Sequence, residues 1–174
     1  MDVTDHYEKT EWTNTASVDT EFDESLAELF GDLLGTFADL LLQQMVETEL
    51  DEQRKLIEEE NYCAAILRQA AFVESLLQLG MIKEIESYRE QELSNAEQEV
   101  VEKMGNKPTV YMASALGLLD DSEYEAYTKL MGTRNDVAHN WWLLFSDEEQ
   151  EHFEHVTERV FETLESTFED TDFS

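Results

Sequence analysis

The stretch that decides the fold is YCAAILRQAAFVESLLQLG, residues 62–80. Its apolar side chains recur every three or four residues, and Ile66, Val73 and Leu77 are among those that share one stripe. This period is typical of an amphipathic helix and not of a strand. Because the apolar face is broad, we expect this helix to be central in the fold and to end at Gly80.

The same helical period continues on both sides of this stretch. One Pro and six Gly in 174 residues leave few positions that break helices, and β-branched alternation is almost absent. The sequence therefore predicts an all-α fold, a bundle of five to seven helices. Further helices are predicted over residues 82–104, 109–119, 122–131, 134–145 and from Ser146 to about Phe168.

Two capping boxes set the predicted starts of the last two helices. Thr133 with Asp136 predicts that a helix begins at the residue after Thr133, and Ser146 with Glu149 predicts the start of the last helix.

Three segments are predicted along the chain. Residues 1–19 are polar without periodicity and are expected to be a flexible acidic tail. Residues 20–50 are expected to form an N-terminal amphipathic helix, and 51–170 the helical bundle. Residues 47–60 contain no helix breaker, so the sequence leaves open whether the first helix continues or restarts near Asp51.

The charge balance is extreme, with 11 Lys and Arg against 42 Asp and Glu, a net charge of −31 spread over the whole chain. Such a surface keeps a protein soluble, but its self-repulsion opposes compaction in dilute buffer. Concentrated salt relieves the repulsion, because the screening length falls from about 10 Å at 0.1 M to about 3 Å at 1 M. The composition resembles that of proteins from halophilic archaea. A mesophilic acidic protein and a nucleic-acid mimic are the alternatives.

Cysteine use and the chain start indicate a cytoplasmic protein. Cys63 is the single cysteine, so the sequence contains no disulfide framework and no thiol metal site. Residues 1–5 lack the basic and apolar regions of a secretion signal, and no apolar run approaches about 20 residues. We therefore expect no membrane partner.

Four histidines are present, and one of them lies in a distinctive setting. His6 lies in the predicted tail, while His152 and His155 fall opposite the apolar stripe of the last helix and are expected to be solvated. His139 lies instead within two turns of the predicted helix start at Arg134. Free N–H groups and the positive end of a helix dipole favour a phosphate there, and arginine adds a planar bidentate donor.

This pair suits cleavage of an RNA phosphodiester, in which the neighbouring 2′-OH attacks phosphorus. Histidine side chains titrate near neutrality, so His139 is a candidate general acid or base, and Arg134 would stabilise charge on the phosphoryl oxygens. The two residues lie roughly 140° apart around an ideal helix, so the length of Arg134 is needed to bring both into one pocket. Asn135 shares the face of His139. In the alternative, Arg134 pairs with acidic neighbours and His139 is a core residue.

The string LMGTRNDVAH, residues 130–139, resembles the motif of the HEPN superfamily: Arg, a polar residue directly after it, and His a few residues later. Residues 64–77 are similar to the HEPN helix that carries an acidic residue near the motif. The resemblance spans residues 62–168. It implies a helical bundle that pairs about a two-fold axis, so that two motifs line one cleft. Many members are metal-independent ribonucleases, often toxins or defence proteins, and others have lost activity.

The resemblance implies a role for each matching residue. Arg134 would contact phosphate, Asn135 would assist in positioning, and His139 would be the acid or base. Glu74 would orient Arg134 or His139. Asp136 is a supporting residue on the separate ground of its predicted capping box with Thr133. The implied partners are a second copy of the chain, RNA, and an antitoxin or other protein, with no metal and no small-molecule cofactor.

Two features depart from this pattern. Trp141 stands where some members carry a tyrosine that accepts adenylylation, so that control is not implied here. Eleven cationic side chains are few for RNA binding, which draws affinity from neutralised phosphates. The alternative function is therefore a non-catalytic HEPN-like module for dimerisation or protein binding.

Overall fold

The computed structural model of the chain describes residues 40–140 and 146–169, with side chains to 168. The chain divides into two units, Met1–Leu42 and Gln43–Ser174, and the second contains the helical bundle. The predicted tail, 1–19, and residues 20–39 of the predicted first helix lie outside the described residues.

The described residues form six helices and no strand, which confirms the prediction of an all-α bundle. These helices are α1 (40–58), α2 (Tyr62–Arg89), α3 (Asn95–Glu102), α4 (Asn106–Ala115), α5 (Asp121–His139) and α6 (Asp147–Glu169). Helix α1 passes Asp51 without a break, so the helix that the sequence left open continues to residue 58.

Helix α2 is central, because it contacts α3, α4, α5 and α6. Its predicted stripe is buried, including Ile66, Val73 and Leu77. The predicted end at Gly80 is wrong, since the helix continues to Arg89. A glycine costs a helix about 1 kcal/mol relative to alanine, which buried neighbours on either side can offset.

The predicted helix over 82–104 is also wrong, because the chain breaks between α2 and α3. Glu90 adopts a left-handed conformation, with φ of 52°, and its N–H closes the last turn of α2. A capping box of Ser94 and Glu97 then starts α3. The Glu97 carboxylate accepts hydrogen bonds from the Ser94 N–H at 2.9 Å and from Arg89 at 2.7 Å. These hydrogen bonds stabilise the turn between α2 and α3.

Helix α5 is longer than predicted and includes the motif. It begins at a capping box of Asp120 and Glu123 and runs through Gly132 without interruption. The prediction that a new helix begins after Thr133 is wrong: the Thr133 hydroxyl lies 3.1 Å from the Lys129 carbonyl and donates to it inside the helix, so it caps nothing. Burial of residues before and after this point, such as Leu130, holds both parts of α5 against the core.

Helix α6 begins directly after Ser146, as predicted, and its apolar stripe is buried. Phe153 is a fully buried member of the core. The Gln69 side chain donates a hydrogen bond to the Thr157 carbonyl at 2.9 Å, which ties α2 to α6.

By length and composition alone, α2 is a helix that could span a membrane. Core helices of soluble proteins pass the same test, and seven side chains of α2 are buried against other helices. The expected absence of a membrane partner stays a prediction.

Candidate functional site

Three polar side chains meet where α2, α4 and α5 come together, and we call them the Arg134 cluster: Glu74, Asn106 and Arg134. The Asn106 amide oxygen accepts a hydrogen bond from Arg134 Nη1 at 2.7 Å. Its nitrogen donates to the two Glu74 carboxylate oxygens at 2.9 and 3.0 Å. The partners dictate this orientation of the amide, because the reverse would set oxygen against oxygen and N–H against N–H.

The Arg134 guanidinium differs electrostatically from most arginines of the fold. Arg54, Arg68 and Arg89 each form an ion pair with a carboxylate at 2.7 Å. Arg134 forms no direct ion pair within the described part of the chain, and its second hydrogen bond goes to the Asn135 amide oxygen at 3.3 Å. Its charge is therefore oriented by neutral groups.

The helix start expected at Arg134 belongs instead to another element. Arg134 lies in the last turns of α5, where the backbone dipole presents its negative end. The N-terminus beside the cluster is that of α4, whose first residue is Asn106 and whose N-cap is Gly105, without a side-chain cap. The positive end of the α4 dipole thus lies at the Arg134 cluster.

His139 is the last residue of α5, and its side chain is exposed. It is therefore not the core histidine of the alternative interpretation. Because Arg134 faces α2 and α4, helix geometry directs His139 roughly 140° away from it, onto the outer surface. The structure thus brings Glu74 and Arg134 together through Asn106, and it leaves His139 on a different face. Asn135 is half-buried, and Asp136 is exposed in mid-helix and is no part of a cap.

Both His152 and His155 were expected to be solvated. His155 is exposed, but His152 is partly covered. The His152 ring is half-buried, with Nε2 3.2 Å from the Thr133 hydroxyl. The helical period places this position at the edge of the apolar stripe, and contact with the end of α5 covers it.

Asn106 is the residue that the sequence did not indicate. It falls in the segment Gly105–Pro108, between the helices predicted over 82–104 and 109–119, and Pro108 in the first turn of α4 is compatible with a helix start. An amide next to a proline-marked helix start is a weak signal without knowledge of what packs against it. Trp141 and Trp142 lie outside the described residues.

One cavity among the described residues is separate from the predicted site residues. An apolar cavity of about 240 Å³ is lined by residues of α2, α5 and α6, among them Val73, Tyr127 and Leu164. Burial raises the pKa of Tyr127. Within residues 40–140 and 146–168, there is no group of three or more His, Cys, Asp or Glu side chains that could hold a metal ion.

No protein-family model, curated protein or solved structure matches the chain. The resemblance to the HEPN superfamily therefore depends on the motif and on the helices that carry it.

Proposed function

We propose that this protein is a metal-independent endoribonuclease of HEPN type, acting as a toxin or defence effector, whose cleft is formed by two copies of the chain. The observation that carries the proposal is that one helix, α5, carries both functional groups of the motif. Arg134 holds an oriented guanidinium with no direct ion pair in the described residues, and His139 exposes an imidazole at the end of the same helix.

The proposed reaction needs a base, an acid and a stabilising charge. His139 takes the proton of the RNA 2′-OH, whose oxygen attacks phosphorus, while the bond to the 5′-oxygen breaks and that oxygen receives the proton from the same His139, now protonated. The products are a 2′,3′-cyclic phosphate and a 5′-OH. Arg134 stabilises the charge on the phosphoryl oxygens, and Asn135, on the His139 face, helps to position the substrate.

Helix geometry supports a composite cleft. Arg134 and His139 of one chain point roughly 140° apart, which is unfavourable for a shared phosphate within one copy. In the proposed dimer, Arg134 of one copy and His139 of its partner face the same phosphate.

The acidic surface sets the working conditions. We propose that the protein belongs to a salt-rich cytoplasm, since a net charge of −31 repels RNA in dilute buffer. At about 1 M salt the screening length of about 3 Å confines this repulsion to close neighbours. The oriented Arg134 guanidinium then acts at contact distance.

One observation favours a second function, a non-catalytic module for dimerisation or protein binding. The Arg134 cluster connects three helices, and a purely structural bridge would require the same contacts.

The test is cleavage of RNA in about 1 M salt with a chelator present, the salt chosen for its short screening length. We expect wild type to cleave, and His139→Ala and Arg134→Ala to lose about 10²–10⁴-fold in rate, the range for a positioned acid or base. His155→Ala and Arg159→Ala, at exposed positions of α6, serve as matched controls and should retain activity. Cleavage that survives both motif substitutions would exclude this site, and an inactive wild type that still dimerises would favour the second function.

A further inference from the structure

We infer that Asn106 is a positioning residue for Arg134 and that Glu74 acts through it. The catalytic consequence rests on the proposed function, whereas the positioning itself is a property of the fold.

The first step concerns which guanidinium nitrogens are engaged. Both hydrogen bonds that Arg134 makes within the described residues start from Nη1, one to Asn106 at 2.7 Å and one to Asn135 at 3.3 Å. Nε and Nη2 make none in that part of the chain. These two nitrogens share one edge of the guanidinium plane, and such an edge is the fork that binds a phosphate with two parallel hydrogen bonds.

The second step concerns the chemistry of the Asn106 amide that binds the guanidinium. A carboxylate in place of the Asn106 amide would form a direct ion pair with the guanidinium and lower its attraction for a phosphate. The amide oxygen fixes the same nitrogen without cancelling the charge. Asn106 therefore orients Arg134 and keeps it cationic.

The third step concerns what fixes the amide. Glu74 accepts two contacts from the Asn106 nitrogen, at 2.9 and 3.0 Å, and thereby selects the orientation in which the oxygen faces Arg134. Asn106 is also the first residue of α4, so its backbone is held by the helix. The negative charge of Glu74 stays separated from the guanidinium by one amide group.

The experiment records two independent properties of Arg134 in full-length protein. NMR of the Arg134 side-chain nitrogens reports whether rotation of the guanidinium is hindered, and RNA cleavage in molar salt gives kcat and KM. Asn106→Ala should release the guanidinium and lower kcat by about 10–100-fold, the range for a misplaced reacting group, with a smaller effect on KM. Asn95→Ala, at the exposed first residue of α3, is the matched control and should change neither.

A second variant separates positioning from a structural role. Asn106→Asp places a carboxyl group between Glu74, whose charge raises the pKa of the introduced group, and Arg134, whose charge lowers it. When the introduced group is protonated it can donate and accept as the amide does. The kcat of this variant relative to wild type should therefore rise as the pH is lowered. A purely structural bridge predicts instead that kcat changes only in step with the free energy of unfolding, with the Arg134 guanidinium signals unchanged.

The outcomes are distinguishable from failure of the proposed function. If wild type does not cleave RNA but Asn106→Ala frees the Arg134 guanidinium, the function fails and the positioning stands. If the guanidinium signals and kcat are the same in Asn106→Ala and wild type, or if neither protein shows hindered rotation, the inference is overturned.

Discussion

Two arginines of this bundle are held in opposite ways. Arg68 on α2 donates from Nε and Nη2 to both carboxylate oxygens of Glu49, at 2.7 and 2.8 Å, and so joins α1 to α2. Arg134 on α5 uses Nη1 alone among the described contacts and meets neutral amides. In Arg68 the phosphate-binding edge is occupied by a protein carboxylate, whereas in Arg134 that edge makes no contact within the described residues.

The difference shows how Arg134 keeps its charge free of a direct ion pair within the described residues although Glu74 lies close by. Among the other described arginines, Arg54, Arg68 and Arg89 pair with carboxylates, whereas Arg159 donates a hydrogen bond to the Ser122 hydroxyl. Asn106 stands between Arg134 and Glu74 and prevents that pairing.

The largest expected effect is that of salt on the acidic surface that surrounds both arginines. Lowering salt from about 1 M to about 0.1 M lengthens screening threefold and should reduce the free energy of unfolding enough to unfold the chain cooperatively. Circular dichroism during dialysis measures this transition. Stability that is unchanged or higher after desalting would contradict salt adaptation.

A charge-conserving exchange at each arginine tests the comparison directly. Lysine keeps the charge but lacks the planar fork, so Arg134→Lys should lower the rate of RNA cleavage by about 100-fold. Arg68→Lys should change that rate by less than about twofold, because its fork serves only Glu49. Equal losses in the two variants would show that the arginines are not functionally distinct.

Removing the acidic partners of the two arginines should have a smaller effect, and it should appear in stability. Here the partner of Arg68 should matter more than that of Arg134, the reverse of the order expected for activity. Glu49→Gln removes a bidentate, partly exposed ion pair and should lower the free energy of unfolding by about 1 kcal/mol. Glu74→Gln keeps an acceptor for Asn106 and should cost less, about 0.5 kcal/mol. Urea denaturation measures both. A larger loss for Glu74→Gln would mean that the Arg134 cluster is mainly structural.

The smallest effect concerns Arg89, a third arginine paired with a carboxylate. Hydrogen bonds from Ser94 and from Arg89 lower the pKa of Glu97 to about 2. A lowered pKa stabilises the fold above the ordinary value near 4.5, and this stabilisation is lost as pH falls towards 2. Glu97→Gln should therefore be less stable than wild type at neutral pH, and the gap in denaturation midpoint should close between about pH 4.5 and 2. A gap that persists below pH 2 would exclude the carboxylate charge as its cause.

The all-α class and the buried faces could be predicted because apolar periodicity records them directly. The stripes of α2 and α6 are buried as the sequence indicates, and α6 begins after Ser146. Helix ends were harder, since Gly80 and Gly132 look like breaks and lie inside continuous helices. At both places the burial of flanking residues outweighs the low helix propensity of glycine.

The site was only partly predictable for the same reason. The motif identified Arg134 and His139, and the position of Glu74 on α2 suggested that it lies near them. Their arrangement depends on α4, whose first residue enters the seam between α2 and α5, and no local pattern in the sequence records that contact. The capping box expected at Thr133 was misleading because a buried threonine can bond within its own helix.

The most direct test of the composite cleft mixes two inactive variants, Arg134→Ala and His139→Ala, under conditions of subunit exchange in molar salt. In the mixed dimer, Arg134 survives on one copy and His139 on the other. We predict that each variant alone fails to cleave RNA and that the mixture recovers cleavage. A mixture that exchanges subunits and stays inactive would contradict the account.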